Sequence, residues 1–153
     1  MPPLPPLGFQ FSVRFEGITD SDVDTRFQKV QGLEGRVTLR AYREGGQNRS
    51  TYHLPESVEH APLVLSRGAS VDSKVTRWCL NAIEDFEFVP VNIMITLLNN
   101  RQQPLLCWYV INAIPQQLKF GELDAGSSQV FIETITLEYE HFKTILEPQR
   151  RRQ

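Results

Sequence analysis

The chain alternates. From residue 8 to 16, Phe9, Phe11, Val13 and Phe15 fall on one side, with Gln10, Ser12, Arg14 and Glu16 on the other. A two-residue period of that kind predicts a half-buried strand. Residues 27–33 give a weaker strand signal that breaks at Gly32, and residues 36–42 alternate again, with Val37, Leu39 and Ala41 opposite Arg36, Thr38 and Arg40. Residues 50–54 resume the extended pattern, which Pro55 is expected to end, and residues 63–65 form a short apolar strand. Residues 91–98 carry Val91, Ile93, Ile95 and Leu97 in phase. A polar turn at 99–104 leads into residues 105–111, apolar on both faces and therefore a central strand. Residues 118–128 read as a polar connection, and 130–139 as a long last strand.

One stretch keeps a different period. Val75, Trp78, Cys79, Ala82 and Phe86 are spaced as a single buried helical face, with Lys74, Arg77, Asn81 and Asp85 on the solvent side. Asp72 or Ser73 supplies the cap, and Pro90 closes the region. About seven strands and one helix predict a mainly β fold, a β-sandwich or barrel of two packed sheets with one flanking α-helix. The expected organisation is an extended N-terminal arm at 1–7, a single β domain at 8–146 and a charged C-terminal tail at 147–153.

Composition narrows the function classes. In 153 residues, 41% are hydrophobic and 22% charged, and sixteen basic against eighteen acidic side chains give a net charge of −2. That balance argues against a dedicated nucleic-acid binder, which carries a strong basic excess. Cys79 and Cys107 lie far apart in apolar segments, outside any CxxC pair, and read as buried free thiols. The opening MPPLPPL has neither a basic n-region nor a sustained apolar run, so no signal peptide is expected, and no stretch approaches a membrane span.

Candidate chemistry is sparse. His53, His60 and His141 are scattered without metal-ligand spacing, and Glu84, Asp85 and Glu87 cluster where a helix end would be solvated. The Gly45-Gly46 turn fits no phosphate-binding loop, and no GxSxG elbow is present. The expectation is a non-enzymatic chain with no metal and no cofactor. The feature in want of a partner is the turn formed by Arg43, Glu44, Gly45, Gly46, Gln47, Asn48 and Arg49, together with its long flanking strands. A hairpin of that length is marginal alone in water, so its tip is either a mobile turn or a segment that gains order against another copy. The residues alone leave open a monomeric binding module that uses the proline arm or this loop for a partner.

An ordered set of motifs carries a resemblance. Phe9-Gln-Phe11, residues 27–33 (FQKVQGL), residues 42–49 (YREGGQNR) and His53-Leu-Pro55 come first. Residues 63–68 (LVLSRG), Trp78-Cys79, residues 95–99 (ITLLN), Trp108, residues 112–115 (NAIP) and residues 132–137 (IETITL) follow. Across residues 8–142 the chain resembles the tail-tube protein family of contractile phage tails and extracellular contractile injection systems. The resemblance implies a tube-type fold shared with the secreted ring protein of type VI systems. It implies assembly with copies of itself into six-fold rings, and with adjacent tube rings, baseplate proteins and a surrounding sheath. It implies residence in a phage-tail-like particle put together in the bacterial cytoplasm. Within the family the chain is similar to a baseplate-end subgroup, where a tube-initiator ring starts the stack. It departs from the family pattern at Ile114, where a Trp usually precedes the proline, at Gln129, and in the charged extension after Glu147.

Overall fold

A computed structural model describes residues 10–19, 25–43, 45, 51–69, 72–121, 126 and 131–146. The expected arm at 1–7 and tail at 147–153 lie outside them. The chain divides into two compact units, Met1–Gln31 with Pro62–Gln153, and Gly32–Ala61.

The larger unit is two antiparallel sheets that share one long strand. In chain order its strands are β1 (Gln10–Phe15), β2 (Arg26–Phe27) and β3 (Lys29–Gln31). After the smaller unit's β4 (Gly35–Tyr42) and β5 (Tyr52–His60) come β6 (Leu63–Gly68), helix α1 (Lys74–Asp85), β7 (Val91–Leu98), β8 (Pro104–Phe120), β9 (Ile132–Glu138) and β10 (His141–Leu146). The path of neighbours is β2-β1-β7-β8-β9-β6-β3, with β10 beside β8. Because β2 and β3 are nearly consecutive in sequence, residues 26–31 join the two ends of that path and bring the sheets round toward closure.

The strand β8 serves both sheets because it turns at Asn112. That residue has φ of 53°, in the left-handed region that asparagine enters more readily than most side chains. Its amide N–H donates to Asn92 Oδ1 at 3.0 Å, and its side-chain Nδ2 donates to Glu140 Oε2 at 2.7 Å. Up to Ile111 β8 pairs with β10 and up to Ala113 with β7; from Ile114 it pairs with β9. The sequence pattern led to a strand ending at 111 and a polar connection from 118. The structure instead carries β8 to Phe120, since alternating polar residues also suit a strand with one wet face. It also adds β10, which the pattern reading left out.

The core sits between the sheets and under the helix. Val13 and Phe15 of β1, Leu63 and Leu65 of β6, Ile93 and Ile95 of β7, Val110 and Ala113 of β8, and Ile135 and Leu137 of β9 are all fully buried. On β1, β6, β7 and β9 these are the in-phase apolar positions, each on the inward side of its pleat. Ser73 caps α1, its Oγ accepting from Thr76 N–H at 3.1 Å. The helix packs Val75, Trp78, Cys79 and Ala82 inward, while Lys74 and Arg77 face solvent, as the spacing predicts. Trp78 meets Phe15 edge-on at 5.6 Å between centroids and donates its Nε1–H to Val89 O at 2.8 Å.

Phe86 is a correction. The spacing counts it with the buried face, yet it is 81% exposed. The helix stops at Asp85, and Phe86 takes up a left-handed cap with φ of 53° and ψ of 35°. Its N–H and that of Glu87 both turn back to Asn81 O, the latter at 3.0 Å, in the manner of a Schellman closure. Beyond that turn the 100° per residue period no longer applies, and the side chain swings outward.

Candidate assembly surface

The smaller unit, Gly32–Ala61, is the β4–β5 hairpin. Its two strands pair from Gly35 with His60 to Tyr42 with Tyr52. The register slips between Thr38 and Leu39, so that Glu56 is the extra residue of a bulge and Pro55 stands opposite Leu39. Pro55 therefore does not end the strand as expected; a hairpin strand tolerates a proline where no ladder N–H is required. The hydroxyls of Thr38 and Ser57 lie 2.6 Å apart, which fixes that pair on one face. His60 Nδ1 lies 3.3 Å from Glu34 O near the hairpin's start.

Register sorts the rest. One face carries Val37 with Val58, Leu39 with Pro55 and Ala41 with His53. The other carries Arg36 with Glu59, Thr38 with Ser57, Arg40 with Leu54 and Tyr42 with Tyr52. Large apolar side chains are exposed on both faces. Val58 is 58% exposed and Leu39 56%, and Val37, Leu54, Tyr42 and Tyr52 are each about half exposed. A two-stranded ribbon with large apolar side chains open on both faces is poorly stable by itself and is the kind of surface that a partner covers.

The sequence reading singled out the turn at 43–49. Of its seven residues, Arg43 and Gly45 are described; both are exposed, and a Cβ added at Gly45 would meet nothing within 4 Å. Glu44, Gly46, Gln47, Asn48 and Arg49 lie outside the described residues. The surface that sequence reasoning missed is carried by the flanking strands. Alternation in β4 reads as a half-buried strand, whereas Val37 and Leu39 on its apolar side are exposed. The available signal was β5 itself, in which residues 52–60 (YHLPESVEH) show no consistent apolar side to complete a core.

A second open edge belongs to β10. Among the described residues it pairs only with β8, and at its end Leu146 is 72% exposed, beside a half-exposed Ile145.

Among the described residues no three His, Cys, Asp or Glu side chains group as metal ligands. Glu84, Asp85 and Glu87 are all exposed. Cys79 is buried, and burial first, with the nearby Glu133 charge adding to it and Arg67 opposing, pushes its thiol up to about 12. A thiol so poised is almost entirely protonated at neutral pH and a poor nucleophile. Cys107, expected to be buried, is only partly so. Tyr109 is also raised, chiefly because its hydroxyl donates to Glu16 Oε1 at 2.8 Å, an interaction at the surface. No helix among the described residues is long and apolar enough to cross a membrane.

Comparison with known proteins shows the family of the chain. The family of the T4-like virus tail tube protein gp19 matches residues 7–143. The chain belongs to that tail tube family. A chain of the anti-feeding prophage baseplate, solved by cryo-EM with 6-fold symmetry imposed, is 30% identical to it. That likeness covers 94% of this chain and 97% of the other, with a TM-score of 0.75. A chain of the anti-feeding prophage cap that terminates its tube is 25% identical over 94% and 93%, with a TM-score of 0.73. A chain of the sheath-tube complex of an extracellular contractile injection system, in the extended state, shares the fold with a TM-score of 0.73. It is 24% identical over 93% and 92%. No curated protein matches. The tail tube resemblance read from ordered motifs and the mainly β, two-sheet, one-helix fold both stand.

Proposed function

We propose that the chain is a structural, non-catalytic subunit of the inner tube of a contractile injection system. In this reading it forms a six-membered ring at or near the baseplate end, and further tube rings stack upon it. The observation that carries the proposal is the pairing of tail tube family membership with a hairpin open on both faces. A self-assembling subunit needs surfaces that are left incomplete in one copy and completed by the next. The β4–β5 hairpin is one such surface, and β10, which among the described residues pairs only with β8, is a second strand on which a neighbour can add without any ligand.

The loop at 43–49 becomes ordered in this account by contact with another subunit. Gly45 and Gly46 add backbone entropy, and its polar side chains build no core of their own. Arg43 and Glu44 are the ion-pair candidates across the contact. Its partners are other copies of itself, adjacent tube rings, baseplate proteins and the surrounding sheath. Assembly takes place in the cytoplasm before the particle is released or attached to a membrane.

The baseplate-end position is favoured by the 30% likeness to the baseplate chain over nearly the full length of both. A repeating subunit of the main tube is the second reading, supported by the likeness to the sheath-tube complex chain. Reconstruction of the intact particle by cryo-EM separates them. The proposal expects this chain in a single ring next to the baseplate, and its presence in every layer would establish the second reading instead.

A further inference from the structure

Two solvent-facing aromatic surfaces of this chain carry opposite charge. At the end of α1, Ile83, Phe86, Phe88 and Val89 are all exposed, and Phe86 meets Phe88 edge to face with centroids 4.9 Å apart and planes at 89°. Glu84, Asp85 and Glu87 are interleaved with them, and residues 83–89 contain no cation. The second surface is the hairpin face on which Arg40 stands opposite Leu54 and Tyr42 opposite Tyr52. Residues 39–55 contain three arginines against one glutamate.

The aromatic at position 86 is conspicuous because the isolated chain makes little use of it. A left-handed cap is the place of glycine, where a β-carbon is a steric burden. Here the site holds a phenylalanine that is 81% exposed and whose one described ring contact is its exposed neighbour Phe88. Exposed aromatic clusters rimmed by charge are features of contact surfaces.

We propose that the Arg40–Tyr42–Tyr52–Leu54 face of one copy's hairpin seats on the Phe86–Phe88 patch of a second copy. The contact deepens the assembly reading and rests on it. The chemistry matches on each count. Arginine stacks on phenylalanine faces and pairs with carboxylates. Tyrosine presents an apolar ring with a hydroxyl that donates to Glu or Asp. Leu54 meets Ile83 or Val89. The two surfaces are different patches of the same chain, so the contact is heterologous, and a heterologous contact propagates into a ring or a stack instead of closing as a two-fold dimer.

Charge reversal tests it. Arg40→Glu and Glu87→Arg, made separately in the full chain, should each weaken self-association at least about tenfold, as measured by sedimentation velocity. Placed together in one chain they should recover most of it. Phe86→Gly should leave the melting temperature of the isolated subunit unchanged or higher while weakening association, a separation that a purely structural role for Phe86 would not give. If wild type assembles and the single variants assemble equally well, this contact is wrong while the assembly reading survives. If singles fail and the double variant does not recover, the two charges do not face each other and the docking is wrong. A wild type that stays monomeric overturns both.

Discussion

Arg67 donates from Nε to Glu133 Oε2 at 3.2 Å, directly across the β6–β9 ladder, and both side chains are almost wholly buried. Both members of the pair also reach the helix. Arg67 Nη2 donates to the cap Ser73 Oγ, and Thr76 Oγ1 donates to Glu133 Oε1. The guanidinium also lies over the Phe27 ring at 4.7 Å. One ion pair thus ties β6, β9, the start of α1 and β2 together. The sequence reading ends that strand at residue 65, short of Arg67.

Removing one member of that pair should be costly. Arg67→Ala leaves the Glu133 carboxylate buried without its counter-charge, beside the Thr76 hydroxyl, and about 3–5 kcal/mol of stability should be lost in urea unfolding. The joint replacement Arg67→Met with Glu133→Leu should cost less than either single change, because no uncompensated charge remains.

The helix face gives a second expectation. Trp78→Ala removes the edge contact with Phe15 and the hydrogen bond to Val89 O, and should cost about 3–5 kcal/mol. A loss below about 1 kcal/mol in chemical denaturation would contradict the packing described.

At Asn112 the strain is local and specific. Asn112→Val places a β-branched side chain at φ of 53° and deletes the bond to Glu140, so destabilisation of about 2 kcal/mol or more is expected. Asn112→Gly loses the side-chain bond but relieves the backbone, and thermal melts should place it between wild type and the valine variant.

Cys79 carries a pH dependence whose sign follows from its raised pKa. The folded state holds the thiol protonated up to about 12, while in the unfolded chain it ionises near 9.0. The unfolded state therefore releases the proton first. This group's contribution is fully present below pH 9 and is lost as pH rises from there toward 12. At pH 8 under native conditions iodoacetamide should modify the partly exposed Cys107 well before Cys79, and mass spectrometry of the labelled protein reads the order directly.

The in-phase residues of β1, β6, β7 and β9 are legible in the sequence because each strand has one wet side and one dry one, so alternation records burial. The same logic misled at β4, whose Val37 and Leu39 alternate as faithfully as Val13 and Phe15 yet stay exposed. Alternation reports that a face is apolar, and the cover can lie on another molecule. Phe86 failed for a different reason, since a helical period cannot announce the residue at which the helix stops. The buried Arg67–Glu133 pair was invisible because its two halves lie 66 positions apart in the chain. The candidate turn at 43–49 rests on composition, which shows what cannot form a core but not what the strands on either side present.

The most direct test of the assembly account is light scattering on purified protein, wild type beside a variant whose residues 43–49 are replaced by a short Gly-Ser turn. The account predicts that wild type elutes as a multimer with ring-sized mass. The shortened protein should elute as a soluble monomer with nearly the same melting temperature, because its core is untouched. A variant that assembles as wild type does, or a wild type that remains monomeric at high concentration, would contradict it.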